Sequence, residues 1–439
     1  MSRIRIIITI IVVVLTTLLT GCTGKEPNEI AYVVALGIDS TDDDNYKITI
    51  QYANTTQISG GASESGGKAG SEIVDNVTIE APNIYAGVGL ANNIVSKSFS
   101  MSHAKLIVFS KEIAEKGVKD MIETLVRSEE IRPDVFIAVA NTTANDYLTS
   151  VNPEMEVNPA QYYQLIYQKN QLVGIPDGQL REFFTGLYTD NYDSIFPVAG
   201  VIEGSGGNSQ NEGSEGSSES LDSFESKSSN EKDENEKEKD AEKNTSKYEY
   251  DIKNYVGGET AIEKKNKAEA IGAAVFEKDK MVGELGEVET EICKMLKGDY
   301  TYSYLTYYNN DTPDIPITVK TTQQKKPKYK IDTDKKTVDI ELYIESDLYS
   351  LPSDYNVENK IEDFERDVAN YTSSACTEFI NNFTKKYNSD ILKLNEKVKY
   401  KFLTNNQYNW FKKNVGWSKY KFSVCTNFKV RRTGLIVRK

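Results

Sequence analysis

The sequence predicts an α+β fold, with two to three domains of mixed and antiparallel sheets flanked by helices, and one disordered insert. Segments with the two-residue alternation of strands and segments with the spacing of amphipathic helices follow one another without a repeating βαβ pattern. The chain has 439 residues, whereas single hydrophobic cores seldom grow beyond about 250–300 residues. More than one domain is therefore expected.

The first predicted element is an antiparallel hairpin. Strand-like runs at 30–38 and 46–52 are joined by residues 40–45, Ser-Thr-Asp-Asp-Asp-Asn, which is strong turn chemistry. The three aspartates could ligate a cation, but a calcium loop needs further oxygen ligands at set spacing, and none is evident. A solvated turn is the preferred interpretation.

The rest of the N-terminal region alternates strands and helices. Ser110 follows a strand at 106–109 and precedes a helical stretch. In the next helix, four apolar residues at i, i+3, i+4 and i+7 predict one stripe buried against a sheet. These residues are Val118, Met121, Ile122 and Leu125. The remaining predicted elements are a strand at 134–140, helices at 160–169 and 178–187, and a strand at 195–202.

The composition changes abruptly between Gly204 and Lys247. A Gly/Ser/Asn/Glu stretch is followed by a mixed-charge stretch with almost no apolar residues, so nothing there can offset the entropy of ordering the chain. We predict a disordered insert over 204–250, and a tolerated surface insertion is preferred to a regulatory role. The predicted division is then an N-terminal region at 22–203, with a subdivision near 150 left open, and a C-terminal α+β domain at 251–439.

The C-terminal region has the clearest pattern. Apolar residues alternate with polar ones over 338–345 and again over 422–430, which predicts two half-buried strands. Between them, residues 361–383 carry apolar side chains at spacings of three and four, which predicts a long amphipathic helix. Before this unit, a strand pair at 272–276 and 281–285 precedes a helix that contains Ile292 and Leu296.

The N-terminus has the pattern of a bacterial lipoprotein signal peptide over 1–21. Arg3 and Arg5 precede an apolar run from Ile6 to Leu19, which ends in Leu-Thr-Gly-Cys22. A run of about 14 residues is short of the ~20 needed to span a membrane. We expect cleavage before Cys22 and its modification by S-diacylglycerol and an N-acyl chain, since two chains give stable anchoring. An ordinary secretory peptide is the alternative.

Charge and cysteine content limit the classes of partner. The formal net charge of −14 argues against nucleic acid as a partner, and against docking on anionic lipid by charge. The other cysteines, Cys293, Cys376 and Cys425, are odd in number and widely spaced, so they imply no disulfide framework. Buried free thiols are preferred, and one bridge plus one spare thiol is the alternative.

The sequence offers little catalytic machinery. His103 is the single histidine, which excludes HExxH and histidine-triad metal sites, and no GxSxG elbow, Walker loop or GxGxxG is present. We expect His103 to pack locally beside the strand at 106–109. Glu362, Asp363 and Glu365 are expected on a solvated helix face. We predict no enzyme, no cofactor and no metal site.

The order of several motifs resembles the Ger(x)C family, the lipoprotein C subunits of spore nutrient-germinant receptors. The N-terminal motifs are the lipobox at Cys22, Glu26-x-Asn-Glu-Ile-Ala31, Ala35-Leu-Gly-Ile-Asp39, and His103-Ala-Lys-Leu-Ile-Val-Phe-Ser110 with Ala114, Gly117, Arg127, Glu129 and Arg132. The C-terminal motifs are Gly272-Ala-Ala-Val-Phe276, Val282-Gly-Glu-Leu285, Glu289-Thr290, Asn388-Ser-Asp-Ile391, Trp410, Trp417 and Gly434-Leu435. Two features depart from the family: Thr23-Gly-Lys25 replaces a frequent tryptophan and basic pair, and the insert is unusually long.

The resemblance implies a non-enzymatic subunit, anchored by lipid on the outer face of the spore inner membrane. Its implied partners are the integral membrane A and B subunits of the receptor, with which it would support nutrient-triggered germination. Two other classes stay open at this point. A solute-binding lipoprotein of a transporter would need a cleft between two similar lobes, and a cell-envelope hydrolase would need His103 or a carboxylate pair in a concave pocket.

Overall fold

The computed structural model describes residues 3–9, 27–43, 45–53, 74–153, 156, 158–168, 174–189, 192–202, 248–250, 255–260, 266–309, 312–350, 357–387 and 389–433. Cys22 and positions 204–247 of the predicted insert lie outside these residues. The α+β fold class is confirmed, because two mixed sheets are flanked by helices.

Within the described residues, the first sheet contains nine strands. They are β1 (Ile30–Ser40), β2 (Tyr46–Ala53), β3 (Val74–Ala81), β4 (Ser98–Ser100), β5 (Leu106–Ser110), β6 (Phe136–Ala140), β7 (Ile195–Val201), β9 (Ala268–Glu277) and β10 (Lys280–Leu285). Eight of them run in the order β10-β9-β7-β6-β5-β1-β2-β3, and β4 pairs with the start of β1. The remaining strand in this part of the sequence, β8 (Tyr248–Tyr250), belongs to the second sheet.

The expectation of no βαβ pattern is wrong for the centre of this sheet. β1, β5, β6 and β7 are parallel neighbours, and helices connect β5 to β6 and β6 to β7. β5 and β6 are buried along their whole length, as expected for parallel strands covered on both faces. A short buried run does not reveal the direction of its partner, so the sequence pattern left the parallel order undetected.

Helices of the first unit at 84–91 and 144–150 were not predicted from the sequence, whereas those after Ser110, after Val118, near 160–169 and near 178–187 follow the predicted stretches. These helices are α1 (Ile84–Ala91), α2 (Lys111–Lys116), α3 (Lys119–Val126), α4 (Ala144–Ser150), α5 (Pro159–Gln168) and α6 (Leu180–Thr189). Ser110 caps α2 by accepting a hydrogen bond from the Ile113 amide at 3.4 Å. α3 buries Met121, Ile122 and Leu125, which confirms the predicted stripe.

The predicted hairpin is confirmed. β1 and β2 are antiparallel, and Ser40 pairs with Tyr46 across the turn. Thr41 Oγ1 donates to the Asn45 carbonyl at 2.9 Å, and Asp42 and Asp43 are exposed at the tip. These two aspartates therefore occupy the solvated turn that the sequence favoured.

The longer strands of the second sheet are β11 (Tyr302–Asn309), β12 (Thr312–Gln323), β13 (Lys328–Asp332), β14 (Thr337–Ser350) and β15 (Lys421–Arg432). This sheet has the order β13-β14-β12-β11-β8, and β15 pairs with β14 in parallel. The helices around it are α7 (Glu287–Lys297), α8 (Val357–Lys386), α9 (Leu394–Val398) and α10 (Asn405–Asn414). Alternating burial along β14 and β15 confirms the two predicted half-buried strands.

The long helix α8 lies across the second sheet. Phe364, Val368 and Phe379 contribute to a core that also contains Val338 and Phe422 from the sheet. Polar side chains fix the helix in register with β15, because Asn381 Nδ2 donates to the Phe422 carbonyl at 3.0 Å and Thr377 Oγ1 accepts from the Val424 amide at 3.0 Å.

The first sheet includes strands from both sides of the predicted insert. Val201 of β7 pairs with Ala268 of β9, and the Ile202 amide donates to the Lys267 carbonyl at 2.8 Å. One face of β9 joins the core of the second unit through Ala273. Backbone hydrogen bonds thus join the chain before the predicted insert to the chain after it. That residues 204–250 separate two folding units stays a prediction.

Candidate functional site

His103 is exposed beside the first sheet. Its ring lies 4.8 Å from the Tyr32 ring in an edge-on contact, and its Nδ1 is 3.0 Å from Ser102 Oγ. This placement agrees with the local packing expected from the sequence. Within the described ranges, no group of three or more His, Cys, Asp or Glu side chains could hold a metal ion.

The three cysteines that follow Cys22 are free thiols. Cys293 and Cys376 are buried in the core of the second unit, and burial raises the pKa of both thiols to about 12. Such thiols stay protonated and unreactive at neutral pH. Cys425 is exposed on β15.

The carboxylates expected on a solvated face of α8 divide into two kinds. Glu362 and Asp363 are exposed, and Asp363 pairs with Arg366 at 2.8 Å. Glu365 contradicts the expectation, because it is buried and accepts hydrogen bonds from Lys429 Nζ at 2.5 Å and the Val430 amide at 2.8 Å. It therefore joins α8 to β15, and only the tertiary contact with β15 determines this role.

A buried polar cluster lies where the two units meet, and it is centred on Asp390. The buried Asp390 carboxylate accepts hydrogen bonds from the Leu394 and Asn395 amides at 2.8 Å each, so it satisfies the first two amides of α9 from outside the N-cap position, which Lys393 occupies. The Asp390 amide donates to Asp193 Oδ2 at 2.8 Å, and the Asp193 amide donates back to the Asp390 carbonyl at 3.2 Å. This reciprocal pair joins the segment before β7 to the segment after α8.

Asp193 connects a third segment. Its Oδ1 accepts a hydrogen bond from the Lys278 amide in the β9–β10 turn at 2.9 Å. Ser389 Oγ donates to the Phe276 carbonyl at 3.1 Å. The junction therefore fixes the lead into β7, the β9–β10 hairpin and the end of α8 in one arrangement.

Burial controls the charge of this cluster. Desolvation raises the pKa of Asp390 to about 7, although the hydrogen bonds from the two backbone amides and the charge of the nearby Lys397 oppose the rise. Desolvation also raises the pKa of Asp193. Near neutral pH, a large fraction of molecules therefore carries a proton on Asp390.

Lys393 extends the junction toward α6. Its ammonium lies 2.8 Å from Glu182 Oε1 and 4.1 Å from the centre of the Tyr192 ring. Burial alone would raise the pKa of Glu182, but Lys297 and Lys393 together lower it. Clefts of about 590 and 560 Å³ meet at Tyr192. The paired charges at their border hold the two units together.

Sequence reasoning missed Asp193 and Lys393, and it quoted Asp390 only as part of a family motif. No helix-start signal marks Asp390, because a capping residue normally lies directly before its helix, whereas Asp390 lies four residues before Leu394. No local pattern at Asp193 could have revealed a partner 197 positions away.

Two family models match most of the chain. Residues 24–201 match the spore germination protein N-terminal domain, and residues 271–434 match the spore germination B3/GerAC-like C-terminal domain. The chain belongs to this spore germination family. The resemblance drawn from the motifs is thereby confirmed.

Curated relatives agree with the family. Spore germination protein KC of Bacillus subtilis strain 168 is 26% identical over 176 residues, which are 37% of this chain and 43% of that protein. The putative spore germination protein YfkR of the same strain is 28% identical over 145 residues, which are 33% of this chain and 37% of that protein. Each alignment thus spans less than half of the relative.

The crystal structure of the GerBC protein is similar over 90% of this chain and 96% of that chain, with a TM-score of 0.49 and 15% identity. Among the residues that the structure describes, no helix has both the length and the apolar character needed to cross a membrane.

Proposed function

We propose that this chain is a lipid-anchored extracytoplasmic subunit of a spore germinant receptor. In this proposal it assembles with the integral membrane A and B subunits, on the outer face of the spore inner membrane, and supports nutrient-triggered germination without catalysing a reaction. The observation that carries the proposal is positional. The family match begins at residue 24, two positions after the lipoprotein-type cysteine Cys22.

The junction supports a role as a binding body. Asp193 and Asp390 fix the two units against each other, so a partner would meet one preformed surface. A lipid at Cys22 would confine this body to a thin layer beside the membrane and raise its effective concentration near membrane partners.

Replacing Cys22 by Ala tests the proposal. The variant should incorporate no labelled fatty acid, because the acylated sulfur is gone. Spores that carry it should contain less assembled receptor in the membrane fraction and should germinate more slowly with nutrient. Fatty-acid labelling, immunoblots of spore membranes and germination rates measure the three effects.

Cys425→Ala is the matched control, since Cys425 is an exposed thiol on β15, within the body itself. It should keep the lipid label, receptor assembly and germination. Normal assembly and germination with an unacylated Cys22→Ala protein would contradict the proposal.

The solute-binding alternative requires two similar lobes around a cleft. The two sheets here differ in strand number and order, although clefts of about 590 and 560 Å³ do lie at their junction. Submillimolar binding of a nutrient by the protein without A and B subunits would favour that alternative.

A further inference from the structure

A short C-terminal segment has a net charge opposite in sign to that of the whole chain. Residues 393–421 contain eight lysines and one acidic residue, Glu396, in a chain whose net charge is −14. The sequence-wide charge argued against docking on anionic lipid, but it averages over this segment. A local excess of lysine attracts an anionic surface that lies within about a Debye length.

The same segment exposes three large apolar side chains. Tyr400 is 78% exposed, Leu403 is 95% exposed and Trp410 is 69% exposed. Phe402 is half-buried and Phe411 is buried beneath them, with ring centres 4.8 Å apart. Because these inner rings already fill the local core, the outer three contribute little to the packing of the protein. Three exposed apolar side chains within eleven positions are a cluster, and clustered exposed apolar groups mark interaction surfaces.

Lysines lie beside these exposed side chains, and Tyr408 connects them: Lys399 Nζ and Lys412 Nζ lie 5.8 and 5.1 Å from the centre of its ring. On α10, Lys413 follows Trp410 by three positions, which places both side chains on one helix face. Lys399 is exposed directly before Tyr400. We call these five residues, Lys399, Tyr400, Leu403, Trp410 and Lys413, the basic aromatic face.

The basic aromatic face lies at the same end of the first sheet as the lipid-bearing terminus. The strand register places Ile195, at the start of β7, level with Ala35 of β1, and Ile30 lies further toward the same end. Thr189, shortly before β7, accepts a hydrogen bond from Lys412 Nζ in α10 at 3.0 Å. The chain from Cys22 enters β1 at this end.

We propose that the basic aromatic face docks on the anionic headgroup layer of the membrane that holds the lipid anchor. This inference rests on the proposed function, because the anchor supplies the proximity. Tyrosine and tryptophan prefer the headgroup level, where an apolar ring and a polar group are both solvated. Lysines that flank such rings match a lipid surface in sign and in chemistry.

Tryptophan fluorescence tests the docking in the acylated full-length protein. The chain has two tryptophans, and Trp417 is buried, so Trp410 is the tryptophan that bilayer lipids can reach. The protein would be reconstituted into vesicles with brominated acyl chains, made of phosphatidylcholine alone or with added phosphatidylglycerol. We expect quenching in the anionic vesicles, and loss of that quenching in Trp410→Phe.

Charge variants complete the test. Lys399→Gln/Lys413→Gln should lower the ratio of docked to undocked protein about tenfold, since each lysine attracts anionic lipid. Lys116→Gln/Lys119→Gln is the matched control and should leave that ratio unchanged. These two lysines follow the C-terminal end of β5, whereas the chain from Cys22 enters the sheet at the other end of the parallel strands. Thermal unfolding would verify that each variant is folded.

Separate measurements test the lipid anchor and the docking of the basic aromatic face. Mass spectrometry and vesicle flotation report the lipid, and a chain without lipid contradicts the proposed function. The face is then tested by adding that chain to the same vesicles. Three results would overturn the docking. Trp410 could stay unquenched although the anionic vesicles carry the protein, or it could be quenched equally without phosphatidylglycerol. Quenching that appears only when a protein partner is added would assign the face to that partner.

Discussion

At the scale of single residues, Asp390 has the most unusual environment. Its carboxylate is buried at the junction, faces Asp193 and Lys397, and is held by the Leu394 and Asn395 amides. Two interactions oppose each other there. Hydrogen bonds favour the charged form, whereas desolvation and the second aspartate favour the neutral form.

This balance gives a pH dependence with a definite sign. The pKa of Asp390 is about 7 in the folded protein and 3.8 in the reference state, so the folded state binds the proton more tightly. The contribution of Asp390 to the free energy of unfolding therefore decreases by roughly 2–4 kcal/mol as pH rises from about 4 to about 7. Asp390→Asn should abolish that slope and should cost about 1–2 kcal/mol at low pH, because its amide group offers one acceptor instead of two.

Urea unfolding at pH 5 and pH 8 measures the slope. Asp42→Asn is the control, since Asp42 is exposed in the first hairpin turn, and it should keep the slope of the unmodified protein. An unchanged slope in Asp390→Asn would assign the pH dependence to other groups.

Residue roles with local causes were predicted well. Ser110 was placed directly before a helix, and it caps α2 because the signal is confined to adjacent residues. Glu365 was expected in solvent, because a single helix face cannot show which side of it β15 will cover. Long-range hydrogen bonds were therefore the part that the sequence did not reveal.

At the scale of elements, Gly283 controls the contact of β10 with the end of α8. A Cβ added at Gly283 would overlap the ring of Tyr387. We expect Gly283→Ala to lower the free energy of unfolding by about 1–3 kcal/mol, because the strand or the ring must shift.

Gly89 of α1 is the matched control, since an added Cβ there meets no atom within 4 Å. Gly89→Ala should leave stability unchanged or raise it by up to about 1 kcal/mol through helix propensity. Chemical denaturation of both variants compares them directly. Equal effects of the two substitutions would show that the contact with Tyr387 does not limit β10.

Strand and helix positions were predicted more reliably than their pairing. β14 and β15 alternate in burial as their sequences alternate in polarity, because side-chain period is a local property. The parallel pairing of β5 with β6 depends on the helices between them, and a buried run such as 106–110 fits either direction. Pairing requires contacts that a short window does not contain.

At the scale of the whole molecule, β7 and β9 make the two sides of the insert interdependent. A protease site placed within 204–247 should therefore give a cut chain whose fragments stay together. The pairing of β7 with β9 and the Asp193–Asp390 contact hold the fragments without a covalent link.

Size-exclusion chromatography checks this prediction. The cut protein should elute as one native peak at the position of the uncut protein, and it should separate into two fragments in concentrated urea. Separation under native conditions would show that the strand pairing is too weak to join the two parts.

The pairing of β7 with β9 also determines how long one edge of β7 stays unpaired during synthesis. β7 ends at residue 201 and β9 begins at residue 268, so at about 5–20 residues per second the ribosome needs roughly 3–13 s to make the intervening chain. During that interval one edge of β7 has no strand beside it. The nascent first sheet is then an open template for other chains, and the protein should need chaperone protection most at this stage.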